Sequence, residues 1–266
     1  MLERNDNASA KPKVNNIASV GIIYRESNPA EVFLEEKDVT HPVKLFRNRL
    51  CLIGGNWIGV AAKKDLGTPQ TLKREIEEEI SLIKKNATTL ELKLLNITKD
   101  KKSYVTPRKK VAPSEKDLRL LRELKKVLTK SPKALGDFMH TLPKTLLTGN
   151  KRDKKTNFVV LCSSWSIALN EKDWQILVTL QAKFENLSNE SRTLITSLDE
   201  IVKKGAKFVF GHDRAIQKFF LSHRLNKAKS IKLDQGVTSK FLGAPLASYQ
   251  KYLEKYDVQK NPLTPR

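Results

Sequence analysis

Between Leu72 and Leu82 the chain reads Leu-Lys-Arg-Glu-Ile-Glu-Glu-Glu-Ile-Ser-Leu, which places four glutamates in five consecutive positions. On a helix, residues three and four apart share a face, so Glu75, Glu78 and Glu79 converge while Ile76 and Ile80 turn inward. Carboxylates held that way raise one another's pKa unless a cation neutralises them. Hard oxygen ligands suit Mg2+ or Mn2+, which keep several waters and bridge to substrate phosphates. Such a cluster has what hydrolysis of a diphosphate requires: charge neutralisation, an activated water and in-line geometry. Arg74, four residues before Glu78, offsets part of the repulsion and can orient a carboxylate. The same string also suits an exposed helix face whose glutamates pair with lysines.

The surrounding elements have to position this helix. Ile17 to Tyr24 is a buried-strand pattern, and Glu31 to Glu35 can pair with it across the turn Ser27-Asn28-Pro29. Leu50-Cys51-Leu52-Ile53 is a third apolar run and ends at Gly54-Gly55. The helix is expected to start with Thr68 as N-cap and Pro69 at the first helical position, since proline's fixed φ and missing donor suit that site. From Gln70 to Leu82, apolar residues recur at Leu72, Ile76 and Ile80, and the spacing extends to Ile83.

In this setting the string resembles the signature of the Nudix family, G-x5-E-x7-R-E-U-x-E-E-x-G-U, where U is a bulky aliphatic residue. Arg74, Glu75, Ile76, Glu78, Glu79 and Leu82 match in order and spacing. Gly54-Gly55 ends a strand just upstream, as the family's box follows a glycine-ended strand, and Thr68-Pro69 matches a Thr-Pro helix start that recurs in the family. Ser81 replaces the signature's late glycine. From Gly59, five residues lead to Asp65, and eight rather than seven then separate Asp65 from Arg74. Ser197-Leu198-Asp199-Glu200-Ile201 resembles a later Nudix segment that opens a short helix, and Phe208 to Arg214 resembles the start of a final helix.

The resemblance implies an α/β/α sandwich around a mixed β-sheet. It also implies a Mg2+- or Mn2+-dependent hydrolase that directs an activated water at a phosphorus of a nucleoside-diphosphate-linked substrate. Glu75, Glu78 and Glu79 would hold the metal, Arg74 would orient them, and the general base would be one of these glutamates or another outside the box. Gly54, Gly55, Trp57 and His212 are weaker candidates for substrate contact; Asp213 or His212 could instead cap the final helix. Trp57, Trp165 and Trp174 could stack on a base, although large aromatics are more often core residues.

The chain has 266 residues and carries 50 Lys and Arg against 29 Asp and Glu, a net charge of +21. Such a field favours nucleic acids, nucleotides, phosphorylated substrates and acidic surfaces, though surface lysines are often only solubilising. Residues 99–155 hold 18 Lys and Arg against 6 Asp and Glu and read as a basic helical insertion. Ser114 to Lys130 looks like a capped amphipathic helix, Ala134 to Leu147 a second helix, and Leu90 to Ile97 a strand. The insertion suits a lid, a partner contact or RNA; RNA would make the substrate a 5′-triphosphate or cap-like end. A silent Nudix fold used for binding is the other alternative.

The expected layout is a disordered lead-in over 1–14, a Nudix-like domain over 15–223 and a basic tail over 224–266. Phe158 to Leu169 is expected as a strand, Trp174 to Phe184 as helix or strand, Thr193 to Ile195 as strand and Arg214 to Leu225 as helix. No apolar run is long enough to span a bilayer, and no secretory signal is evident. Cys51 and Cys162 sit in apolar runs, as buried reduced thiols of a cytoplasmic protein would.

Overall fold

The computed structural model describes residues 10–37, 39, 41, 44–58, 65–82, 112–148, 156–188 and 191–259. The expected strand at Leu90–Ile97, Gly59, Ile83 and the basic runs at 99–102 and 151–155 lie outside the described residues.

In chain order the elements are β1 (Lys13–Val14), β2 (Asn16–Arg25), β3 (Asn28–Lys37), β4 (Arg49–Cys51), β5 (Ile53–Asn56) and α1 (Thr68–Glu79). There follow α2 (Glu115–Lys130), β6 (Lys133–Pro143), the single turn α3 (Thr145–Thr148), β7 (Asn157–Leu169) and α4 (Glu171–Phe184). The chain continues through β8 (Arg192–Ser197), α5 (Leu198–Lys203), α6 (His212–Ser222), β9 (Thr238–Gly243), α7 (Tyr249–Lys255) and β10 (Asp257–Val258).

Strands β4, β3, β2, β7, β6 and β9 lie side by side in that order, with β5 also paired to β2 and β8 to β3. The β2–β7 pair is parallel and the others in this sheet are antiparallel, so the sheet is mixed. β2 is central and buried along almost its whole length, which explains its continuous apolar run.

Successive side chains of a strand point to opposite faces, and β2 sorts its neighbours accordingly. Ala18, Val20, Ile22 and Tyr24 join Leu50, Leu52 and the buried faces of α5 and α6. Ile23 joins Phe33 and Ile53 under α1, α2 and α4. The α/β/α sandwich expected from the sequence is therefore present.

Helix α1 docks through Leu72, Ile76 and Ile80, all fully buried; each contributes about 1.5–3 kcal/mol of apolar burial. Gly21 of β2 lets the helix approach, because a Cβ there would lie 3.1 Å from Leu72 Cδ1. Gly67, rather than Thr68, is the N-cap; Thr68 is the first helical residue and is buried.

Several expectations change. Ser114 caps α2 through a reciprocal pair with Asp117, as the sequence suggested. Yet α2 is no detached insertion: Leu121, Leu124 and Leu128 lie in the same core cluster as Ile76. Most of the expected second helix at Ala134–Leu147 is strand β6, hydrogen-bonded on both edges to β7 and β9, and only its end enters the helical turn α3. Two-sided pairing outweighs weak local preference here, and Gly136 at φ 139° is a conformation no helix accepts.

The presumed tail also belongs to the fold. β9 extends the sheet, and α7 buries Tyr249 and Tyr252. β10 pairs with β1, so Lys13 and Val14 are ordered rather than part of a loose leader. The domain thus runs through residue 259, well beyond the expected limit at 223.

Trp174 to Phe184 is helical, capped by Asn170, and Ser197 caps α5 by accepting from the Glu200 amide. Cys51 and Cys162 are both buried and unbridged, and burial pushes the Cys162 thiol up to about 12. No described helix is long and apolar enough to cross a membrane.

Candidate active site

Strand β5 and helix α1 face each other, and two adjacent glycines decide how closely. At Gly55 a Cβ would lie 2.4 Å from Glu75 Oε1, so the Glu75 carboxylate rests directly on the glycine backbone. At Gly54 the chain takes φ 143°, and a Cβ would lie 2.1 Å from the Ser19 carbonyl oxygen. A side chain is thus excluded there by both conformation and space. The Gly54 amide donates to Glu79 Oε2 at 3.3 Å. The glycine pair therefore seats two of the three expected carboxylates.

Arg74 organises the rest. Its Nε donates to Asp65 Oδ2 at 3.1 Å and its Nη2 to the Asn56 carbonyl at 2.9 Å. Its Nη1 lies 2.7 Å from Glu75 Oε1 and 3.2 Å from Glu78 Oε2. Burial alone would lower the Arg74 pKa, but the Glu75 and Asp65 charges hold the guanidinium more firmly protonated than usual. Glu75 and Glu79 are mostly buried, whereas the Glu78 side chain is 39% exposed and is the most accessible of the three.

The box departs from its expected form at two points, and the geometry accounts for both. Asp65 stands one position out of register, yet it reaches Arg74 and also accepts from Thr71 Oγ1 at 3.1 Å. Ser81 replaces a glycine, but it is not among the residues with positive φ. The chain leaves α1 extended: Ile80 forms a bridge with Ser188, and the Ser81 amide donates to the Leu187 carbonyl at 2.8 Å. Glycine's freedom is not needed there.

Other contributors come from far along the chain. Tyr249 shares a short hydrogen bond with Thr71, and its amide donates to the Leu66 carbonyl at 3.2 Å. Burial, followed by the nearby Asp65 charge, raises the Tyr249 pKa, so it remains a neutral phenol. Trp57 stacks on Tyr249 with ring centroids 4.2 Å apart, so one indole face is already covered. Lys125 of α2 donates to the Glu77 carbonyl at 2.7 Å and braces the outer side of α1.

Beside this group runs a polar row on the same face of the sheet. Gly55 is opposite Ser19, Ser19 opposite Ser163, and Ser163 opposite Asp137. Asp137 accepts from Ser163 Oγ at 2.6 Å and Tyr252 Oη at 2.8 Å, and burial raises its pKa. Nothing in the local sequence marks Tyr249, Tyr252, Lys125 or Asp137, because each joins through packing. Asp65 did have a signal, its near match to the box.

His212 is not part of this group. It sits at the start of α6, among elements on the other face of the sheet, and its Nδ1 accepts from the Leu52 amide at 3.1 Å. Burial pushes its pKa down to about 3, so it is a neutral acceptor. Gly211, not His212 or Asp213, is the N-cap, and Asp213 accepts from the Arg214 and Asp234 amides. Trp165 and Trp174 are core residues.

The donor chemistry of Glu75, Glu78 and Glu79 fits a hard divalent ion: three carboxylates on one helix, with Glu75 and Glu79 seated on glycines. Their oxygens are engaged by Arg74 and the Gly54 amide. Among the described residues no three acidic, imidazole or thiol groups form a ready-made metal site.

No family model matches this chain, and no curated protein matches it in sequence. Among solved structures it is similar to a MutT protein from Methanosarcina mazei Go1, at 14% identity and a TM-score of 0.39, over 82% of this chain and 97% of that one. A mutT/nudix family protein from Listeria innocua is similar over 82% of this chain and 98% of its own, at 9% identity and a TM-score of 0.34.

Proposed function

We propose that this chain is a Nudix-type hydrolase that cleaves a diphosphate linkage in a nucleotide-derived substrate with the help of Mg2+ or Mn2+. The observation that carries the reading is the seating of Glu75 on Gly55 and of Glu79 on the Gly54 amide, beside an Arg74 anchored by Asp65. Of these, Arg74, Glu75 and Glu79 match the signature in order and spacing, and strand β5 and helix α1 bring them together with the glycines and Asp65.

In this reading Glu75, Glu78 and Glu79 hold the divalent ion. Bound there, the ion would neutralise the diphosphate and lower the pKa of an attacking water. Arg74 keeps Glu75 and Glu78 oriented through Nη1, and Asp65 with the Asn56 carbonyl keeps Arg74 in place. Glu78, the most exposed of the three, is the carboxylate best placed to meet substrate from solvent.

The test is a panel of nucleoside-diphosphate-linked compounds, assayed for phosphate-ester release with Mg2+ or Mn2+. Wild type should turn over at least one, and Glu78→Gln should lose on the order of 100-fold, as expected when transition-state charge stabilisation is removed. Equal activity in the two proteins would sink the assignment of this helix. Adding 5′-triphosphorylated RNA to the panel tests an RNA-ended substrate, whose cleavage should fall steeply with salt while that of free nucleotides does not.

A second reading, ligand binding without turnover, is favoured by the hold of Arg74 on Glu75 and Glu78. Retained nucleotide binding with no metal-dependent release across the whole panel would select it.

A further inference from the structure

On the face of the sheet opposite α1, helix α6 leaves a cavity of about 510 Å3 against β6 and β9. Its walls include Arg214 and Lys218 of α6, Phe138 of β6, Ser239 and Phe241 of β9, and Leu221. Among the described residues none that lines it is acidic. Arg214 and Lys218 stand four apart on one helix face, so two like charges share the cavity, and the nearby Asp213 carboxylate lies outside its lining.

The state of each cation points to a missing anion. Arg214 Nε is shielded from solvent and has no acceptor among the described residues. The adjacent carboxylate is committed elsewhere: Asp213 accepts from the backbone amides of Arg214 and Asp234, at 2.9 and 2.6 Å. Lys218 lies with its ammonium 3.9 Å from the centre of the Phe241 ring. A ring face is a weaker partner for an ammonium than an oxyanion. Phe241 itself is 46% exposed, unusual for a phenylalanine in a sheet strand.

We infer that this cavity is a second binding site, separate from the α1 carboxylates, for a phosphorylated nucleoside. Its phosphate would sit between Arg214 and Lys218 and its ring against Phe241 and Leu221. A guanidinium presents Nε–H and an Nη–H side by side, which matches two oxygens of a phosphate. The apolar wall takes the planar ring, and a few hundred cubic ångströms accommodate one nucleotide. The ligand is either a free nucleotide or the phosphorylated end of a strand.

The experiment is titration calorimetry of the full chain in EDTA, which keeps divalent ions from the α1 site. The probes are AMP, inorganic phosphate and a 5′-phosphorylated hexadeoxynucleotide. Wild type should bind AMP more tightly than phosphate. Arg214→Gln and the surface change Lys218→Gln should each weaken AMP about tenfold, the factor expected for one charge-assisted contact. Phe241→Ala should weaken AMP and leave phosphate unchanged, while Glu78→Gln should leave both as in wild type. Binding of the hexanucleotide that far exceeds AMP and still depends on Arg214 assigns the site to strand ends; equal binding assigns it to free nucleotides. If neither AMP nor the hexanucleotide binds wild type, or if Lys218→Gln and Arg214→Gln both bind like wild type while still folded by circular dichroism, the inference fails.

Discussion

Arg74 donates its Nε to the buried carboxylate of Asp65 across 3.1 Å, although the motif's own spacing would have put an acidic partner one residue away. Both side chains are largely shielded, at 11% and 2% exposure. Removing Asp65 leaves Arg74 Nε and Thr71 Oγ1 without their buried acceptor, although Glu75 and Glu78 still face the guanidinium. Asp65→Ala should therefore destabilise the fold by about 1–3 kcal/mol and reduce hydrolysis as well, since Arg74 loses its anchor. Asp65→Glu should restore part of both. Urea unfolding and turnover of the three proteins check this; an Asp65→Ala protein with wild-type stability would refute it.

The two glycines of β5 should respond differently to the same change. A Cβ at Gly55 meets only the movable end of Glu75, so Gly55→Ala should cost no more than about 1 kcal/mol of stability while sharply reducing activity. A Cβ at Gly54 meets the Ser19 backbone at a φ of 143°, so Gly54→Ala should be far less stable or fail to fold. Thermal melts of the pair, with assays on whichever folds, distinguish the two. Similar melting temperatures would contradict the geometry.

Ser81→Gly restores the signature's late glycine but should not improve the protein. Ser81 follows a helix that exits into extended backbone, so glycine's freedom gains nothing in the folded state and enlarges the unfolded ensemble. A loss of about 0.5–1 kcal/mol is expected, read from the denaturation midpoint. A gain in stability would show that the position requires positive φ after all.

Tyr249 connects the C-terminal helix to the site through Thr71 and Trp57. Tyr249→Phe keeps the ring stack and loses the hydroxyl, at about 1 kcal/mol. Tyr249→Ala loses the ring too and should cost about 3–5 kcal/mol. Calorimetric melts rank the two, and equal costs would mean that the ring contributes nothing.

His140 and His212 give the fold an acid limit. Burial lowers them to about 4 and about 3, against an unfolded value of 6.5. The folded state thus binds fewer protons than the unfolded one between those values, so this stability is present above pH 6.5 and is lost as pH falls toward 4. The slope is about 1.4 kcal/mol per pH unit for each histidine. Denaturant midpoints measured from pH 7.5 to 5.0 should fall accordingly, and less steeply in His140→Asn. A flat profile would overturn the assignment.

What the sequence determined by itself was local. The 3.6-residue spacing of Leu72, Ile76 and Ile80 defined α1 and sent Glu75, Glu78 and Glu79 to one side, because periodicity is written in adjacent residues. The start of α2 was equally legible, since a capping box is contained within four residues. Tertiary structure decided what depends on partners distant in the chain. Ala134–Leu147 became largely a strand because β7 and β9 offered hydrogen bonds on both edges, and the lysine-rich tail became part of the domain because Tyr249 and Tyr252 found a buried surface. Asp65 reached Arg74 despite the wrong spacing, because a guanidinium finds its carboxylate by distance in space and not by position in a motif.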